Sequence, residues 1–354
     1  MVRAGLLAAV VLLAGSAPAS AMTPGFLGRG HDPGVAVDAA GTAHVAWLAP
    51  APGDTGVLHY CQVPRGRRAC AARTTVPLEG DGFGKVQVLL PRPGTVRIIA
   101  PLLTATPLLT SVDNGATFAR ADLGALPAIE AALPGAGDTI SIMSGSGPAR
   151  VGRFLAASPA PGPLPVQFAD ALDSLETALA PFGAGLFAAF SGRGMRSAIW
   201  NGAGDPNAPQ SWVAGPRLGT DRTSLAAMGG RSGTFLAYVD HRGGRSDTRV
   251  RRLSGTRLGR ERRLSGDDPV QLASAEGPRG DLVVLWTRPS AALYVRSRSG
   301  RRWTRPRRLF SGHSPGDLRA ALGPSGGWVV WDGNPGNAGS HPIRIAAIPR
   351  PPRR

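Results

Sequence analysis

The sequence predicts an all-β fold, a seven-bladed β-propeller of four-stranded antiparallel blades, on three observations. Seven short segments are almost wholly apolar: HVAWL from His44, VRIIA from Val96, TISIM from Thr139, LFAAF from Leu186, TFLAYV from Thr234, LVVLW from Leu282 and WVVW from Trp328. A turn glycine precedes each: Gly41, Gly94, Gly137, Gly185, Gly233, Gly280 and Gly326. These glycines recur about every four dozen residues, the period of propeller repeats. A strand apolar on both faces must be covered on both faces. A blade packed between two neighbours meets that condition.

The elements follow in order. Arg3, the apolar run Leu6–Ala14 and the small residues Ala19-Ser20-Ala21 predict a secretory signal peptide over residues 1–21. The run is too short to span a bilayer, and no later stretch is long enough, so no transmembrane anchor is expected. Residues 22–354 are then one exported propeller domain. Its first segment, Phe26-Leu27 followed by Gly30-His31-Asp32-Pro33-Gly34, resembles Leu309-Phe310 followed by Gly312-His313-Ser314-Pro315-Gly316. The last repeat ends at IRIAAI (Ile343–Ile348) without a fourth strand. The N-terminal segment is expected to supply that strand and close the ring. Cys61 and Cys70 flank the turn residues Pro64-Arg65-Gly66, and export places them in an oxidising compartment, so a disulfide is expected. Two cysteines without a nearby histidine pair make a poor metal site.

The chain carries 49 Gly and 33 Pro, which suits many turns, while 42% hydrophobic residues argue against disorder. The formal charge is +17, and Lys85 is the only lysine. Enrichment of Arg together with Ala, Gly and Pro is the signature of a GC-rich genome. No nucleic-acid motif organises the arginines, so specific nucleic-acid binding is not expected. Weak attraction to acidic surface polymers is. No nucleophile-elbow, zinc-protease or phosphate-loop motif occurs, and no cofactor or metal is expected.

Ser111-Val112-Asp113-Asn114-Gly115-Ala116-Thr117-Phe118 resembles the Asp-box, or BNR repeat, of sialidases and other propellers. Ser111, Asp113, Gly115, Thr117 and Phe118 match its defined positions. The resemblance implies a structural turn between the third and fourth strands of a blade, with Asp113 bonding backbone groups and no catalytic role. Sialidases are usually six-bladed, so a six-bladed sialidase-type propeller is the alternative fold. They also carry an arginine triad, a Tyr-Glu nucleophile pair and an early R-I-P motif. Arg97-Ile98-Ile99-Ala100-Pro101 departs from that motif, and Tyr60, Tyr238 and Tyr294 fall in no matching context.

Propeller ligands meet the face formed by blade-to-blade loops and by loops between second and third strands. That face is expected to carry His31, Asp32, Asp54, Asp81, Asp267, Arg288, His313, Asp332 and Asn334. Asp221, Arg222, Asp240, His241, Arg242 and Asp268 are its best binding candidates, with Tyr238-Val239-Asp240-His241-Arg242 the densest group. The functional expectation is a secreted binding or scaffold module for an extracellular glycan or protein. The alternative is an exo-sialidase-type glycoside hydrolase.

Overall fold

The computed structural model describes residues 23–51, 55–80, 82, 84–126, 128–145, 148–157, 164–168, 176–191, 194–219, 222–242, 244–266, 268–288, 292–299, 302–312, 315–333 and 340–350. The expected signal peptide lies outside the described residues.

The strands run in chain order as follows. The first group is β1 (Gly25–Val37), β2 (Ala43–Ala51), β3 (Thr55–Val63) and β4 (Ala72–Leu78). Blade A is β5 (Gln87–Arg92), β6 (Thr95–Ile99), β7 (Pro107–Ser111) and β8 (Ala119–Asp122). Blade B is β9 (Ile129–Pro134), β10 (Thr139–Ser144), β11 (Arg150–Leu155) and β12 (Val166–Gln167). Blade C is β13 (Thr177–Phe182), β14 (Gly185–Phe190), β15 (Arg196–Trp200) and β16 (Trp212–Ala214). Blade D is β17 (Arg222–Met228), β18 (Phe235–Arg242), β19 (Arg245–Ser254), β20 (Arg257–Leu258) and β21 (Arg262–Arg263). Blade E is β22 (Leu272–Glu276), β23 (Leu282–Arg288), β24 (Ala292–Ser299), β25 (Arg302–Trp303) and β26 (Arg307–Ser311). The last strands are β27 (Leu318–Gly323), β28 (Gly326–Trp331) and β29 (His341–Ile348).

The blade count expected from the sequence is corrected here. Among the described residues five blades, A to E, stand as separate antiparallel sheets, rather than seven or six. The remaining strands form one seven-stranded sheet in the order β27-β28-β29-β1-β2-β3-β4. The reason is β1, a strand of 13 residues that pairs on both sides. Gly25 to Gly30 pair with β29, and His31 to Val37 pair with β2, with a register shift between His31 and Gly34. Hydrogen bonding therefore runs unbroken from the last repeat into the first. The two halves of this sheet pack face to face: Val45, Trp47 and Cys61 meet Leu27, Trp328, Val330, Ile343 and Ile345.

Each apolar segment is a strand bonded on both edges, and its side chains are buried on both faces; β6 and β14 contain no exposed residue. Alternate side chains of β18 serve two cores, Leu236 and Tyr238 facing blade C, and Phe235 and Ala237 facing blade E. Fully buried Val, Leu, Ile and Phe side chains contribute about 1.5–3 kcal/mol each against exposure. The first strands touch in sequence, β5 to β9, β13, β17, β22 and β27, and β1 touches both β27 and β5. Contacts thus close into a ring.

Cys61 and Cys70 form a disulfide, with Cα atoms 5.5 Å apart. The turn at 111–118 is held by its own side chains. Asp113 accepts the Thr117 backbone N–H at 2.9 Å and the Thr117 hydroxyl at 2.6 Å, and Ser111 Oγ accepts the Gly115 N–H at 2.6 Å. It then latches onto the neighbouring sheet. Thr74 donates to the Gly115 carbonyl at 2.7 Å, and Phe118 meets the Tyr60 ring edge-on at 5.3 Å.

Candidate functional site

Three polar or concave features lie toward the face made by blade-junction loops and second-to-third-strand loops.

The first is at the ring centre, where first strands begin. Asp332, at the end of β28, accepts the backbone N–H of Asp317 at 2.8 Å and of Asp32 at 3.4 Å. It is 5% exposed, and burial with the Asp317 and Asp32 carboxylates pushes its pKa up to about 6. Burial also raises Asp32, helped by its hydrogen bond with Asp317 and opposed by His31. In Asp317 burial is outweighed by Lys85, the Asp32 hydrogen bond, Arg319 and His31, and its pKa falls. Burial thus drives Asp32 up while the neighbouring cations hold Asp317 down. His31 bonds Asp32 at 2.9 Å; although burial disfavours its charge, the surrounding carboxylates raise it. Asp32 sits at φ +52°, in the left-handed region. Lys85 pairs with Glu130 of β9. Glu176, raised by burial, accepts the Leu225 N–H at 2.8 Å. Among the described residues, no three His, Cys, Asp or Glu are grouped to hold a metal ion.

Sequence reasoning placed His31, Asp32 and Asp332 on this face but missed Asp317, Lys85, Glu130 and Glu176. One signal was available. In a chain whose other basic residues are arginines, the single lysine stands at the ring centre, among carboxylates.

The second feature is on blade D and holds the predicted binding candidates. Asp240, 1% exposed, receives Arg249 at 2.9 Å, Arg242 at 3.2 Å and Arg222 at 3.6 Å. His241 bonds the Thr223 and Ser246 hydroxyls at 2.7 Å each, and Asp268 accepts the Ser246 N–H at 3.0 Å. The structure therefore brings Arg222, Asp240 and Arg242 together, and links His241 to Asp268 through Ser246. Behind them Tyr238 donates to Glu261, which also pairs with Arg249 and, at 3.3 Å, with Arg222. The Arg222 guanidinium lies 4.3 Å from the Tyr238 ring centroid. Tyr238 is fully buried, and burial raises its hydroxyl pKa, the direction opposite to nucleophile activation. Arg288 lies elsewhere, 4.0 Å over the Tyr294 ring. Asp221, Asp54, Asp81, Asp267, His313 and Asn334 lie outside the described residues.

The third feature was not expected. A groove of ≈ 380 Å³ opens between β12 of blade B and β14–β16 of blade C. Phe168 stacks on Phe190 at 4.8 Å and meets Trp212 edge-on at 5.6 Å, so the floor is aromatic. Gln167, Arg196, Ser197 and Arg217 supply polar groups, and Val213 is 51% exposed on the wall. The Trp212 indole donates to the Pro206 carbonyl at 2.8 Å, which fixes the ring. The sequence hid this groove because its parts come from two blades and are spread over 166–217.

No protein-family model matches the chain, and no curated protein matches it in sequence. Solved structures do match in fold. Kuenenia stuttgartiensis hydrazine synthase aligns at TM-score 0.58 with 9% identity, over 96% of this chain and 99% of that one. A polysaccharide lyase aligns at 0.52 with 9% identity, over 90% of each. The Aleuria aurantia lectin, in complex with a fucosyl-N-acetylglucosamine disaccharide, aligns at 0.52 with 13% identity, over 82% and 98%. At such identities the likeness establishes the β-propeller fold alone. It carries no Asp-box or sialidase kinship. Among the described residues no helix is long and apolar enough to cross a membrane.

Proposed function

We propose that this chain is an extracytoplasmic carbohydrate-binding propeller whose glycan sits in the groove between blades B and C. The groove itself is the observation that carries the reading. Sugars present apolar C–H faces and a rim of hydroxyls, and an aromatic floor with Arg, Ser and Gln at the edge complements both. The disulfide fits an oxidising compartment. A lectin and a polysaccharide lyase use the same architecture, which makes carbohydrate the first ligand class to test. His241, Arg242 and Asp268, exposed on the same face, are proposed as flanking contacts, with Arg222 and Asp240 fixing their loop.

A glycan array probed with the purified protein tests this. Binding to defined saccharides is expected, and Val213→Arg, which fills the groove from an exposed position, is expected to abolish it. Undiminished binding by that variant would remove the groove from the proposal.

The alternative, an exo-sialidase-type hydrolase, has the Tyr238–Glu261 pair and Arg222 in its favour. The burial of Tyr238 and the packing of Arg288 over the Tyr294 ring of blade E stand against it. Release of product from a fluorogenic sialoside is expected to be nil. Turnover abolished by Tyr238→Phe would reverse the choice.

A further inference from the structure

Strand alternation sorts the charges of blade D onto two faces. On the face toward blade C, Asp240, Asp247 and Glu261 are taken up by Arg222, Arg242, Arg249 and Arg263. The face toward blade E has the opposite character. Arg252 of β19 lies beside Phe235, and Arg262 of β21 is in register with Val250, two residues from Arg252. From blade E, Arg296 and Arg298 of β24 point into the same space. The Arg298 guanidinium is 4.7 Å from the Phe235 ring centroid, and that of Arg252 is 5.9 Å from it. Arg296 donates to the Leu264 carbonyl at 2.8 Å.

Among the described residues none of these four arginines is ion-paired. Glu276, the carboxylate that acts on Arg298, is engaged with the backbone and hydroxyl of Ser232. Arg298 is 8% exposed, and its Nη1 has no hydrogen-bond partner. Burial and then Arg262 push Arg296 down from its ordinary pKa; burial, Arg252 and Arg262 do so for Arg298. Four converging guanidiniums with Glu276 the one carboxylate acting on Arg298 are the environment an anion relieves. Arg308, in register with Tyr294, extends the track to the exposed edge of blade E.

We propose that the arginine cluster at the seam of blades D and E is an anion site that holds sulfate or carboxylate groups of an acidic polysaccharide. A track from Arg308 to Arg262 suits a polymer with repeated charges better than a single ion. The rings beside these arginines, Phe235 in the core between the blades and Trp303 packed against it, are held by the protein's own contacts rather than presented as a stacking platform for nucleobases. The site shares no residue with the groove between blades B and C, so the two proposals stand or fall separately.

The probe is a fluorescein-labelled heparin oligosaccharide, followed by fluorescence anisotropy at physiological salt. Arg252→Gln/Arg262→Gln removes two exposed members of the cluster. Arg65→Gln/Arg67→Gln, in an exposed hairpin, removes the same charge elsewhere. Losing two charge-assisted contacts is expected to weaken binding about tenfold in the first variant, and less than about twofold in the second. Arg298→Gln is expected to match the first. If Arg298→Gln fails to fold, the exposed pair still decides. Equal losses in the two double variants would reduce the effect to diffuse net charge and overturn the proposal. So would a charge-matched DNA oligonucleotide that competes better than unlabelled heparin.

Discussion

Replacing Asp332 by Asn tests the electrostatics of the ring centre. Asp332 is buried between Asp32 and Asp317, and its pKa rises from an ordinary 3.8 to about 6. A carboxyl raised on folding binds its proton more tightly in the folded chain. Its contribution is therefore present at low pH and lost as pH climbs from about 4 through about 6. The whole shift corresponds to about 3 kcal/mol, of which about 2 kcal/mol falls between pH 4.5 and pH 8. The substituted amide cannot ionise, and its one acceptor oxygen matches that of the protonated carboxyl present below about pH 6. Urea unfolding at both pH values reads the balance. The stability of Asp332→Asn relative to wild type is expected to rise by about 2 kcal/mol from pH 4.5 to pH 8, because only wild type loses stability as Asp332 ionises. Parallel shifts of the two proteins between the two pH values would refute the reasoning, because Asp332 would then titrate normally.

Three further predictions concern the fold. Leu27, 1% exposed in the half of β1 paired with β29, should cost about 3 kcal/mol when changed to Ala, and deleting residues 22–30 should lower Tm by more; an unchanged melting curve would make this segment a mere linker. Cys61→Ala/Cys70→Ala, which opens a loop of sequence separation 9, should cost roughly 2.5 kcal/mol in chemical denaturation, and peptide mapping without reductant should find the two joined. Gly115→Ala should destabilise by about 3 kcal/mol, because φ is +89° and the new Cβ would overlap the Tyr60 ring; a neutral outcome in thermal melts would mean that this turn does not press on β3.

The sequence was most informative where burial alone sets the pattern. The seven apolar segments are strands because a segment apolar on both sides has no other stable place in a chain full of turns. The pairing of Cys61 with Cys70 was legible because the cysteines flank one turn. Sheet boundaries were not. Whether β1 ends one sheet or joins two depends on hydrogen bonds around Gly28 to Gly34, and residues such as Gly30-His31-Asp32 give no sign of them. The site was legible by face and not by residue. Arg222, Asp240 and Arg242 are near neighbours along one hairpin, so local spacing found them. Lys85, Glu130, Asp317 and Asp332 converge from separate repeats, and Phe168 reaches Trp212 across two blades. Such convergence is a property of the ring.

The most direct test of the account is hydrogen–deuterium exchange with and without a saturating concentration of the saccharide that binds most tightly on the array. Slower exchange is expected in peptides covering 166–168, 190–198 and 212–217, the walls of the groove between blades B and C. Protection confined to other blades, with these peptides unchanged, would contradict the claim that this groove is where the protein holds its glycan.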